Sequence, residues 1–243
     1  MKYMGSKRLI AKYIVPIIQS YINETGYNYI EPFVGGANVI DKISAKVKHG
    51  SDLNKYIIAL HQGIQQGKQL YDNVSYELYD KARKNWRNNG DEFDDFQTAN
   101  IGFLASYNGR WFDGGYAKAG YTANGKYRDY YREAKDNIIK QSQSTLYKDI
   151  HFAHLDYRDW SEIVGAVIYC DPPYANTKQY DNAIKFDYDI FWQWCRDMSK
   201  DNVVLISEQN APSDFTSIWE KDVPRTMKVE GKFTATEKLF ILK

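Results

Sequence analysis

Asp171, Pro172, Pro173 and Tyr174 stand directly after the apolar run Ala166 to Cys170. A strand that ends in this set puts a carboxylate at the carboxyl edge of a sheet, where open α/β folds bind their ligands. Two successive prolines fix φ and remove backbone N–H groups, leaving carbonyls on a rigid loop to accept hydrogen bonds. Tyr174 adds a flat ring suited to stacking on a planar heterocycle, a contact that contributes about 1–3 kcal/mol per base. The chemistry that uses all of these groups is methylation of an exocyclic amine. The lone pair of such an amine is delocalised into its ring, and it becomes nucleophilic when acceptors hold its N–H bonds and favour a pyramidal nitrogen. Asp171 and the Pro172 carbonyl would be those acceptors, with no covalent intermediate. The plain structural reading of the same residues is a strand-ending Asp followed by a Pro-Pro turn.

A second set runs from Glu31 through Pro32, Phe33, Val34, Gly35, Gly36 and Ala37 to Asn38. Its glycines let backbone approach a ligand closely. Two glycines in a turn are a weak signal by themselves, and the missing G-x-G-x-x-G fingerprint disfavours a dinucleotide with its pyrophosphate. Asp52, some twenty residues on, is placed to accept from ribose hydroxyls, and equally to N-cap the helical stretch that begins at Leu53. His151 and His154 lie near a strand but lack a cysteine or carboxylate set around them, so no metal is assigned.

The elements that must hold these groups read as α/β. Strands are predicted at residues 27–33, 48–51, 150–156, 166–170 and 203–207, with helices from about Val39, from Leu53, and over 186–200. Strands alternating with helices predict a doubly wound, mainly parallel sheet covered on both faces. From about residue 65 to 147 the pattern turns to polar helices and a glycine and aromatic-rich loop, as if inserted into that core. The last twenty residues, Pro224 to Lys243, alternate weakly around a glycine and read as a β-hairpin.

Composition sets the outer bounds. A chain of 243 residues accommodates one catalytic core with an excursion. Its 43% hydrophobic content includes 21 tyrosines, whose rings serve wet interfaces as well as cores. A net charge of +1 leaves the partner to be judged from local charge. Between Arg110 and Arg128 four basic residues (Arg110, Lys118, Lys126, Arg128) face one acid, Asp113, with rings at Trp111, Phe112, Tyr116, Tyr121 and Tyr127 between them. That mixture suits phosphates and an opened base pair, or else a solvated loop packed by its own aromatics. Two cysteines, Cys170 and Cys195, without a C-x-x-C pair fit a reducing cytoplasm. Lys12 and Pro16 interrupt an N-terminal apolar run too short for a signal core or membrane span.

The ordered set KYMGSK, EPFVGGANV, SDLN, HLDYRD and YCDPPY resembles the Dam-like class of adenine-specific DNA methyltransferases, and spans almost the whole chain. The resemblance implies a Rossmann-like core with a seven-stranded mixed sheet, its last strand reversed. It also implies S-adenosylmethionine as cofactor, S-adenosylhomocysteine as product, no metal, and transfer to a flipped-out adenine in double-stranded DNA. Residue by residue, Tyr3 and Lys7 match the N-terminal cofactor contacts, Lys7 near the methionine carboxylate. Phe33, Gly35 and Gly36 match the turn under the methionine part and Asp52 the ribose ligand. Asp156 and Tyr157 match the pair flanking the cofactor adenine, and Asp171 to Tyr174 the catalytic loop. Tyr3 stands where some members have Trp, and Ser6 where many have Gly.

The expected division is a cofactor-binding catalytic core of residues 1–55 and 148–243 and an inserted, mainly helical target-recognition region of residues 56–147. Arg110, Trp111, Lys118, Lys126 and Arg128 are its expected DNA contacts, and the chain is expected to work as a monomer or weak dimer. Two rival readings stand beside this one. The amine could belong to an RNA adenine or a protein amide, or the chain could be a DNA-binding module with a silent site.

Overall fold

The structure, a computed structural model, describes residues 1–173, 186–225 and 233–243. Its strands are β1 (Asn28–Glu31), β2 (Lys48–Asp52), β3 (Gly120–Tyr121), β4 (Tyr127–Arg128), β5 (Ile150–His154), β6 (Ala166–Cys170), β7 (Val203–Glu208), β8 (Phe215–Arg225) and β9 (Phe233–Leu242). The α-helices are α1 (Ala11–Thr25), α2 (Lys55–Gln65), α3 (Tyr76–Arg87), α4 (Asp95–Ala99), α5 (Tyr130–Ser142), α6 (Thr145–Lys148) and α7 (Tyr188–Met198). Seven strands form one sheet in the order β5-β2-β1-β6-β7-β9-β8. The neighbours from β5 to β7 pair in parallel, and β9 runs antiparallel to both β7 and β8. The last strand is therefore the reversed one, as the resemblance implied.

Alternation along the strands divides the core between the two faces of this sheet. Tyr29, Val167, Tyr169 and Leu205 join one cluster with α1, α2 and the helices of residues 76–148. Ile30, Ile168, Cys170, Val204 and Ile206 join the other with Phe191, Trp194 and Cys195 of α7. In β6 all five residues are buried, which is why it reads as an unbroken apolar run. Helix α1 buries Ala11, Ile14, Ile18 and Ile22 along one stripe and stops at Gly26, whose φ of 70° lets its N–H return to the Ile22 carbonyl.

Helix α2 lies against β5 and also contacts α4 and α5. Its Gln62 and Gln65 amides donate to the Phe152 and Ile150 carbonyls of that edge strand, at 2.7 and 2.9 Å. Unpaired carbonyls on a sheet edge are thereby satisfied and shielded. Helix α4 packs against α2 and runs into a π-helical turn, Asn100–Leu104. Beyond it, β3 and β4 form a small antiparallel hairpin.

Two expectations are corrected. The helix expected from Val39 is a single 3-10 turn, Ile40–Lys42. Val39, Ile40 and Ile43 are all drawn into the core, and only five further residues connect that turn to β2, which must lie beside β1. The C-terminal hairpin begins nine residues before Pro224, at Phe215, and its second arm lies within the sheet between β7 and β8.

Candidate active site

The chain turns from building one side of the sheet to building the other between β1 and β6, which are neighbours. Ligands of open α/β sheets bind at the carboxyl ends of strands at such a switch point. Glu31 to Gly36 leave β1 there, and Asp171 leaves β6.

Gly35 sits at a φ of 43°, a left-handed conformation that favours glycine, and a Cβ there would come 2.7 Å from the Tyr3 ring. A Cβ on Gly36 would lie 2.9 Å from the Tyr3 Cβ. The N-terminal segment thus lies directly on the glycine turn. From below, the Gly35 N–H donates to Asp52 Oδ2 at 3.0 Å, and the Asn54 N–H donates to Asp52 Oδ1 at 2.9 Å. Burial pushes the Asp52 carboxyl up to about 6 despite those two N–H donors. Each of its oxygens carries one N–H and keeps a further lone pair, which fits a pair of ribose hydroxyls. Phe33 stacks on Tyr157 with ring centroids 5.5 Å apart, giving the same edge an aromatic wall. Asp156 N-caps the short turn Tyr157–Trp160 and is gripped by Arg158 at 2.7 and 3.1 Å, which holds its carboxyl below the usual range.

Two further groups hold the glycine turn, and sequence reasoning missed both. His61 of α2 is fully buried, with Nε2 2.8 Å from the Gly35 carbonyl and Nδ1 2.8 Å from the Tyr147 hydroxyl. The Gln141 amide of α5 donates to the Gly36 and Ala37 carbonyls at 3.1 and 2.9 Å. His61 stands at a core position of an apolar helix, a signal that something must partner it. Gln141 carries no such signal, since a glutamine on a polar helix is ordinary.

Lys7, 7% exposed, places its ammonium 2.7 Å from Asp171 Oδ1 and 3.8 Å from Glu237 of β9. The resemblance implied that Lys7 lies near the cofactor's carboxylate; the structure pairs it with Asp171. Burial raises the Asp171 carboxyl above its ordinary range, and the Lys7 charge opposes that rise. Glu31 is buried too, hydrogen-bonded by the Tyr29 hydroxyl at 3.1 Å, and burial raises it strongly toward the neutral acid. Glu208, at the end of β7, is pushed up to about 7 by burial. Pro172 is buried, Pro173 is exposed, and the Tyr188 hydroxyl at the head of α7 donates to the Pro173 carbonyl. Tyr174 lies outside the described residues.

The expected DNA contacts separate. Arg110, Lys118 and Lys126 are exposed and make no ion pair among the described residues. Arg128 is paired with Glu133, which also faces Lys2 at 3.7 Å. Trp111 is corrected to a core residue, only 4% exposed. Its indole stacks on Tyr56 at 4.7 Å and meets Phe103 at 4.6 Å, so its apolar area is spent inside the protein. Tyr121 and Tyr127 instead stand exposed on the β3–β4 hairpin, edge to face at 5.3 Å. His49 and His151 face each other across β2 and β5, and no cluster of metal-ligating side chains occurs among the described residues.

The family model of the D12 class N6 adenine-specific DNA methyltransferases matches residues 3–194. A search of curated protein sequences finds no match. Among solved structures, the rRNA methyltransferase AviRa from Streptomyces viridochromogenes aligns with a TM-score of 0.43 at 8% identity, covering 99% of this chain and 86% of its own. TrmN from Thermus thermophilus aligns with a TM-score of 0.38 at 10% identity, covering 98% of this chain and 53% of its own. The putative methylase HI0767 from Haemophilus influenzae gives 0.36 at 10% identity, with 96% and 88% covered.

Proposed function

Because the chain belongs to the D12 class N6 adenine-specific DNA methyltransferase family and is thus an S-adenosylmethionine-dependent adenine methyltransferase, we propose that it methylates N6 of an adenine flipped out of double-stranded DNA. The observation that carries this reading is the Lys7–Asp171 pair at the end of β6, beside the glycine turn at the end of β1.

Bound S-adenosylmethionine supplies a methyl group made electrophilic by its sulfonium. Asp52 would hold the ribose hydroxyls, Gly35 and Gly36 under Tyr3 would receive the methionine part, and Phe33, Asp156 and Tyr157 would flank the adenine moiety. Asp171 accepts one amine N–H and the Pro172 carbonyl the other, which turns the nitrogen lone pair out of the base plane. Lys7 keeps Asp171 ionised at a buried position, so that it can accept. When the amine has taken the methyl group it sheds one proton, for which Asp171 is the adjacent base. Tyr174 is proposed as the stacking face.

The proposed division of labour gives residues 1–55 and 148–243 the chemistry and 56–147 the DNA, apart from His61, Gln141 and Tyr147, which hold the glycine turn. Arg110, Lys118 and Lys126, with the ring pair Tyr121 and Tyr127, form its exposed basic and aromatic surface. Basic groups there would hold phosphates while the rings support the opened pair, whose unstacking costs a few kcal/mol. The test offers tritiated cofactor to unmethylated duplex DNA, to RNA and to protein, followed by nucleoside analysis. Label in N6-methyladenine from duplex DNA is the expected result; label confined to RNA or to protein amides overturns the assignment.

A further inference from the structure

We infer that His61, held by Tyr147, is a positioning residue for cofactor binding: it fixes the peptide between Gly35 and Gly36 from the protein interior. The inference rests on the reading of this turn as the methionine seat.

The Gly35 carbonyl can only accept, so the His61 nitrogen 2.8 Å from it, Nε2, must carry the hydrogen. Nδ1 is then an acceptor, and the Tyr147 hydroxyl at 2.8 Å donates to it. Tyr147 thus selects the tautomer that Gly35 requires, as a second hydrogen bond commonly does for histidine. The ring has no freedom to turn, because it also stacks on Phe152 at 4.6 Å with an interplanar angle of 10°. Burial lowers His61 to about 4, so the imidazole is neutral and keeps one donor and one acceptor at neutral pH.

The consequence for the turn follows from peptide planarity. In a trans peptide the C=O of one residue and the N–H of the next point in opposite directions. With the Gly35 C=O drawn inward to His61, the Gly36 N–H is turned the other way. On the preceding peptide, the Gly35 N–H is held by Asp52, the proposed ribose ligand. One continuous series of hydrogen bonds therefore runs Tyr147, His61, Gly35, Asp52, and ends on a carboxylate placed to touch the cofactor. Tyr147 lies on α6, where the chain leaves the inserted residues for β5, so this series also ties the insert's last helix to the cofactor turn.

The test is cofactor affinity of the full chain by calorimetry, with turnover on duplex DNA at saturating cofactor. Glutamine places its amide nitrogen about where Nε2 lies and can still donate to Gly35, whereas phenylalanine fills the volume without a donor. The expected result is a tenfold or greater loss of affinity in His61→Phe, with His61→Gln and Tyr147→Phe within about threefold and fivefold of wild type. In turnover, the loss in His61→Phe should fall on cofactor KM far more than on kcat, because His61 touches no reacting atom. Equal affinity in wild type and His61→Phe overturns the inference, as does an equal loss in the Phe and Gln variants, which a purely structural role would give. If His61→Phe does not fold, His61→Gln and Tyr147→Phe decide, and unaltered affinity in Tyr147→Phe together with a tenfold loss in His61→Gln overturns it. Wild type that fails to bind the cofactor at all defeats the reading of the turn rather than the role of His61.

Discussion

Replacing Lys7 by methionine removes the charge that opposes burial at Asp171 while keeping most of the side-chain volume. The Lys7 ammonium is 2.7 Å from Asp171 Oδ1, and the two side chains are only 7% and 18% exposed, so solvent screens the pair weakly. Coulomb's law at that separation with an effective dielectric of about 20 gives about 6 kcal/mol, an upper bound that ignores relaxation of the site. An opposite charge at contact lowers a carboxyl by about 1–3 pKa units, or about 1.4–4 kcal/mol, and that range is the working value. Burial already raises Asp171. Its loss of Lys7 raises it further, in the direction that favours the neutral acid. In the proposed mechanism transfer needs the ionised carboxylate, so activity should be present above the Asp171 pKa and lost as pH falls through it. Lys7→Met should therefore move the acid limb of single-turnover transfer upward by about 1–3 units, and below both limbs the rate should fall about 10- to 1000-fold. Lys7→Arg keeps a cation and should stay close to wild type. The assay is rapid-quench methyl transfer to duplex DNA from pH 5 to 9, with cofactor and DNA saturating. An acid limb in Lys7→Met that coincides with wild type would refute the argument.

Asp52→Asn should weaken cofactor binding by about 1.5–3 kcal/mol, the worth of a hydrogen bond to a charged group, with little effect on turnover at saturation. Since burial pushes Asp52 up to about 6, wild-type affinity should be full above that pH and decline below it, and the Asn variant should lose this dependence in calorimetry. Trp111→Ala should lower stability by about 3–5 kcal/mol, read by denaturant unfolding, because the indole is buried. A variant of unchanged stability but altered site preference would return Trp111 to the DNA surface. Arg110→Ala should relax selection at one base position by about 1–3 kcal/mol if the guanidinium reads a guanine, measured on single-base-substituted duplexes. A uniform loss with a salt slope reduced by about one would make it a phosphate contact instead.

Where burial and period agree, the fold was plain in the sequence. Ala166 to Cys170 is buried on both faces, so its run of apolar residues marked β6, and with it the position of Asp171. Length was the missing constraint after β1: the letters from Val39 suit a helix, but the distance to β2 leaves room for one 3-10 turn. Trp111 sits among basic residues, which made it look like a surface ring, yet Tyr56 and Trp86, far from it in the chain, help enclose it. The carboxylates proposed for catalysis and for the ribose, Asp171 and Asp52, could be picked out because their motifs are local. The pairing of Lys7 with Asp171, and the holding of Gly35 by His61, join residues far apart in the chain and arise only from the tertiary arrangement.

The most direct test of the central claim compares wild type with Asp171→Ala, measuring N6-methyladenine formed in duplex DNA by mass spectrometry and cofactor affinity by calorimetry on the same samples. In the proposed mechanism the carboxylate acts on the amine in the transition state, so the variant should lose transfer by several orders of magnitude while its cofactor affinity changes far less. Near-normal N6-methyladenine formation by Asp171→Ala would contradict the account.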